Sequence, residues 1–103
     1  MIVYNVTCNV APEVEKQWLE WIDLQLNDIS KSKKISGTSI LKLNANKPME
    51  GVVYALQYKI SNHYLLQSFI KIEDQALKEQ IRTVFGESVL HFSSQLNIIK
   101  EYP

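Results

Sequence analysis

The chain has little of what usually makes chemistry legible. Cysteine occurs once, at Cys8, so no internal disulfide can form. A lone thiol fits a reducing compartment, and the expected setting is cytoplasmic. Histidine occurs twice, at His63 and His91. With neither a His-x₃-His nor a Cys-x₂-Cys spacing, no metal site is expected. Gly37, Gly51 and Gly86 are too scattered for a phosphate-cradling loop, and no cofactor is expected. Eleven basic side chains balance eleven acidic ones, which removes the field that would draw nucleic acid or an anionic membrane. No apolar run approaches the ~18–20 residues of a membrane span. The start of the chain also lacks the basic-then-apolar pattern of a secretory signal.

What remains is the make-up of a soluble globule, 46% apolar and 21% charged. At 103 residues the chain can bury one core but not two, so a single domain over 1–103 is expected. The order of hydrophobic patterns then points to the fold. Ile2 to Asn9 alternates with period 2, as a strand does. Pro12 suits a first helical turn, and Val14, Trp18, Trp21, Ile22, Leu26 and Ile29 recur at helical spacing, so a helix is expected from Pro12 to Ser30. Strands are expected at Thr38–Leu43 and Val52–Ile60, joined by the polar turn Asn44–Gly51.

Ser61 or Asn62 can cap a second helical stretch. Its apolar stripe runs Leu65, Phe69, Ile72, Ala76, then shifts phase near Glu73 and Asp74 to Leu77, Ile81, Val84 and Phe85. The shift predicts a kink or a fresh start. Gly86 stands where a left-handed helix cap wants glycine. A last strand is expected from Ser88 to about Ile99, with Leu90, Phe92, Leu96 and Ile98 on its core face. The order strand-helix-strand-strand-helix-strand is the ferredoxin-like βαββαβ plan: an α+β fold with a four-stranded antiparallel sheet and two helices on one face.

Two helices leave the other sheet face open. By these strand phases it gathers Val3, Asn5, Thr7, Val53, Ala55, Gln57, Lys59, Val89, His91, Ser93, Gln95 and Asn97. The set is too apolar for a plainly wetted face and too polar for a dry core. A second copy packed sheet to sheet would enclose a partly polar space.

Several short segments carry a family resemblance: Met1-Ile2-Val3-Tyr4-Asn5-Val6-Thr7, Trp18-Leu19-Glu20-Trp21, Gln57-Tyr58, Phe85-Gly86 and the Val89-to-Phe92 spacing. They resemble the short bacterial proteins grouped as domain of unknown function 4286, within the dimeric α/β-barrel superfamily. The resemblance implies the same fold and a homodimer; it implies no reaction. Two departures stand out. Relatives carry His-Ile-Pro just after the tryptophans, where this chain has Leu26-Asn27-Asp28. They carry Phe-Arg-Thr in the last strand, where this chain has Phe92-Ser93-Ser94. Anything that histidine and arginine bind elsewhere is lost here.

No residue cluster demands a particular reaction, so whether the protein is an enzyme is left open. Cys8 falls on the core face and reads as an inert buried thiol. Trp18 and Trp21 read as core anchors, and Lys31, Lys33 and Lys34 as a solvated helix end. The best ligand-binding set is Asn5, Thr7, Gln57, His91, Ser93 and Gln95, amides and hydroxyls that can hold a small polar molecule without a charge. The leading expectation is therefore a small homodimer binding a polar metabolite between its sheets. The alternative is a cofactor-free oxygenase or isomerase, for which the same face offers His91, Asn5 and Gln57 but no cationic partner.

Overall fold

The computed structural model describes residues 1–44 and 51–103, so the body of the expected Asn44–Gly51 turn lies outside the described residues. β1 (Ile2–Val10) alternates as its sequence does, with Ile2, Tyr4, Val6, Cys8 and Val10 buried on one side. Pro12 opens a short 3₁₀ turn, and α1 (Glu15–Ile29) follows it one turn later than expected. Trp18, Ile22 and Leu26 are its buried stripe, while Leu24 lies off it and is exposed. β2 (Gly37–Lys42) and β3 (Val52–Ile60) come next. α2 (His63–Phe69) starts at Asn62, whose side-chain oxygen accepts from the Leu65 amide at 2.9 Å.

The phase shift near Glu73 is real. Residues Ile70–Asp74 form a π-helical turn between α2 and α3 (Gln75–Phe85). A π turn inserts one extra residue, so the apolar stripe slips by one position across it. α3 ends at Gly86, whose φ of 56° is the glycine-type backbone expected there, but its ψ of −132° lies outside the left-handed helical well. β4 (Val89–Asn97) closes the chain.

The four strands are antiparallel in the order β2-β3-β1-β4, with β1 and β3 central, which is the ferredoxin-like α+β fold. Leu66, Phe69, Leu77 and Ile81 join the α1 stripe above Tyr54, Leu56, Tyr58 and Ile60, so the core lies on one side of the sheet.

One strand faces the opposite way from its expected phase. Val89 pairs with Val10, His91 with Cys8, Ser93 with Val6 and Gln95 with Tyr4, all on the helix side. Leu90, Phe92 and Leu96 point to the open face instead, and each is more than half exposed there. Of β4, Val89 and half-buried His91 reach beneath the helices; beyond them the edge strand overhangs the helix layer. Its apolar residues gain nothing by pointing to that side.

Candidate functional site

Strand pairing puts the polar side chains of the open face in one row. Ser94 stands opposite Asn5, Asn5 opposite Gln57, and Gln57 opposite Ser39. Gln57 Nε2 donates to Asn5 Oδ1 at 3.3 Å, and Asn5 Nδ2 donates to Thr7 Oγ1 at 2.9 Å and to Ser94 Oγ at 3.4 Å. On one side of this row lie Phe92, Thr7, Ala55 and Leu41; on the other lie Leu96, Val3 and Lys59. Leu41 is 45% exposed and Phe92 65%. The result is a polar strip between two largely apolar margins, with Lys59 the one charged strand residue on this face among the described residues.

Of the six residues expected to share a site, Asn5, Thr7 and Gln57 come together here. His91, Ser93 and Gln95 do not; they are on the helix side, because β4 has the opposite phase. Ser94 and Ser39 take their place in the row. Sequence reasoning missed both, since a serine in a strand carries no signal until the pairing is known.

The displaced residues meet a second cluster. Asp74, buried at 1% exposure, is set by the π turn against β1. The Tyr4 hydroxyl donates to Asp74 Oδ2 at 2.7 Å. Lys78 Nζ lies 2.8 Å from the same oxygen, and donates to the Tyr4 hydroxyl at 3.0 Å and to Ser93 Oγ at 2.6 Å. Asp74 Oδ1 and the Tyr58 hydroxyl are buried with no hydrogen-bond partner among the described residues. Ser93 beside a lysine resembles a nucleophile and its base. Lys78 cannot act as that base: burial works against its charge, but the hydrogen bonds to Asp74 and Tyr4 prevail and hold its pKa above the ordinary lysine range. All three of its N–H groups are occupied.

His91 borders this cluster and an open cleft of about 480 Å³, whose lining includes Ile81, Arg82, Glu87 and Leu90. Burial, then the Lys78 charge, lowers its pKa, so the imidazole is neutral at pH 7. Its charged lining is one residue of each sign, Arg82 and Glu87. Burial pushes the Cys8 thiol up to about 12, which makes it inert as a nucleophile. His63 is exposed in the first turn of α2. Trp18 and Trp21 pack on each other and on Phe85, as core anchors do. Lys34, from the basic run after α1, is paired with Glu73 at 2.6 Å. Among the described residues, no three His, Cys, Asp or Glu side chains come together as metal ligands, and no helix is long and apolar enough to cross a membrane.

The buried hydroxyls and thiol have a consequence on the alkaline side. Desolvation raises the pKa of Tyr4, Cys8 and Tyr58 in the folded protein, and Lys78 is raised as well. Each therefore holds its proton longer folded than unfolded. Their contributions are complete below the unfolded pKa values, near 9 to 10.5, and drain away as pH rises through the folded ones. Each group that releases its proton on unfolding steepens the fall by about 1.4 kcal/mol per pH unit. The urea midpoint is expected to be flat from pH 7 to 8.5 and to fall steeply above pH 10. A midpoint unchanged at pH 11 contradicts this burial.

Three solved structures share the architecture. A dimeric ferredoxin-like protein from an uncultured marine organism aligns with a TM-score of 0.75 and 13% identity, over 98% of this chain and 97% of that one. An ethyl tert-butyl ether d (ethd) family protein from Bacillus halodurans C-125 gives 0.65 and 14%, over 91% and 97%. A de novo designed protein, Foldit4, gives 0.62 and 8%, over 94% and 97%. At such identities the likeness is one of fold. No curated protein matches the chain in sequence. The model of the family described as domain of unknown function (DUF4286) matches residues 1–99, and the chain belongs to that family.

Proposed function

We propose that this member of the DUF4286 family works as a homodimer whose open sheet faces pack together and hold a small polar metabolite between them. The observation that carries the reading is the open face itself. Its apolar margins include Leu41, Leu90, Phe92 and Leu96, all largely exposed in one chain. A patch of this kind is usually covered. Burying it at roughly 25 cal/mol per Å² favours association, less the cost of immobilising two chains. The balanced net charge removes long-range repulsion between copies. That a dimeric ferredoxin-like protein shares the fold over nearly its full length lends support.

The ligand contacts in this reading are Asn5, Thr7 and Gln57, with Ser94 in place of the β4 residues on the far side. A cytoplasmic setting goes with it, on the composition of a chain with a lone cysteine and no disulfide framework. The alternative, a cofactor-free oxygenase or isomerase, draws less support. Among the described residues the strip offers no strong base, and Lys78 on the other side is locked by Asp74.

Light scattering at micromolar concentration is expected to give twice the monomer mass. Phe92→Asp, which places a carboxylate in the apolar margin, is expected to give a monomer with an unchanged far-ultraviolet spectrum. A wild-type monomer ends the dimer reading. In thermal-shift screening, Asn5→Ala and Gln57→Ala are each expected to weaken any metabolite that stabilises the wild type, while leaving the dimer intact. Stabilisation unaltered in both variants ends the strip as the site.

A further inference from the structure

The polar strip has a directionality that narrows what it can hold. Asn5 is mostly engaged: its Nδ2 donates to Thr7 and Ser94, and its Oδ1 accepts from Gln57 and keeps one lone pair for a ligand. Gln57 uses one Nε2 hydrogen on Asn5; its other Nε2 hydrogen and its Oε1 make no hydrogen bond among the described residues. One edge of the strip is thus a planar amide with a donor hydrogen and an acceptor oxygen still to offer.

Beside Gln57 on the same strand and face is Ala55, which pairs with Thr7 on β1 and Leu41 on β2. Its side chain is a single methyl, while Leu41 on one flank and Phe92 beyond Thr7 stand well proud of the sheet. By register, the small Ala55 lies in a row between the larger Thr7, Phe92 and Leu41 and next to Gln57, a low point (the dish) in the side-chain layer of this face. Among the described residues, no strand residue around the dish is charged; Lys59 lies two positions past Gln57, away from Ala55.

Resting on the sheet-face reading above, we propose that the site takes a flat, uncharged molecule bearing an amide-type edge. The ligand's own donor and acceptor pair with the free edge of Gln57, and its apolar body lies over Ala55 against Leu41 and Phe92. An anion is disfavoured. Its carboxylate would set acceptor against acceptor at Gln57 Oε1, on the side of Gln57 away from Lys59.

The probes are benzamide and benzoate, matched in shape and differing in the edge and the charge. Each is titrated into isotope-labelled protein, following the Gln57 side-chain amide and the Ala55 backbone amide, with the mass measured on the same sample. Benzamide is expected to move both signals and to bind at least tenfold more tightly than benzoate. Gln57→Leu is expected to abolish that binding with the mass unchanged, and Gln57→Glu, which replaces the donor by an acceptor, to weaken it at least tenfold. Equal binding of the two probes, or benzamide binding that survives Gln57→Leu, overturns the ligand class. A dimer in which neither signal moves overturns the ligand class and leaves the dimer standing. A monomer in which neither moves overturns both.

Discussion

Replacing Lys78 by methionine is expected to bring the protein close to unfolding. Asp74 is buried in the π turn, with one oxygen shared between Tyr4 and Lys78 and the other without a partner among the described residues. Removing the lysine strands a buried carboxylate with a single donor, and breaking a buried pair from one side costs about 3–5 kcal/mol. A domain of this size has only about 5–15 kcal/mol in total. The double variant Lys78→Met with Asp74→Leu is expected to recover most of the loss, because two apolar groups of similar volume need no pairing. Both midpoints can be read from urea unfolding at pH 7. If Lys78→Met leaves the midpoint in place, the pair contributes nothing and the π turn is held by packing alone. If the double variant is no better than the single one, the loss comes from the Tyr4 and Ser93 hydroxyls left without their partners rather than from a stranded carboxylate.

The same cluster marks where the sequence stops being readable. Tyr4 and Asp74 are 70 positions apart, and nothing local links them. One clue was present: an aspartate at the break in the helical stripe, with a lysine four residues on. The break itself could be read as a phase shift. That it was a π turn which buries Asp74 needed the packed sheet. β1, α1 and β3 were legible because each has one buried side, and alternation or helical spacing then assigns every residue.

β4 was misread for the opposite reason. Leu90, Phe92 and Leu96 are its greasiest residues, and a strand with one covered face would turn them to the core. Here the open face is greasy too, so residue type cannot decide the phase, and a shift of one residue exchanges every side chain. Half of the expected site moved across the sheet with that strand, while Asn5, Thr7 and Gln57 kept their places. Fold likeness could not have supplied the missing function. A designed protein at 8% identity has the same layout as this chain, so the layout answers to patterning rather than to any activity.

Trp18→Ala is expected to be as damaging as the loss of Lys78, and for an unrelated reason. The indole is fully buried in the first turn of α1, 6.2 Å from the Trp21 ring and 5.8 Å edge-on from Phe85. Truncating a buried tryptophan removes its transfer energy and leaves a cavity, together about 3–5 kcal/mol. Trp21 packs on the same ring of Phe85 at 5.4 Å but is only half-buried, so Trp21→Ala is expected to cost clearly less. The hydrogen bond is not the issue. Trp18 Nε1 has no partner among the described residues, so its removal breaks no bond and relieves an unpaired donor. Trp18→Phe therefore loses only part of the ring volume, and is expected to keep more than half of the stability lost in Trp18→Ala. Guanidinium unfolding of the three variants gives the order directly. Equal losses for Trp18→Ala and Trp21→Ala would mean that the two rings share one environment. Trp18→Phe as damaging as Trp18→Ala would mean that the indole nitrogen, and not the packing, holds α1 to the sheet.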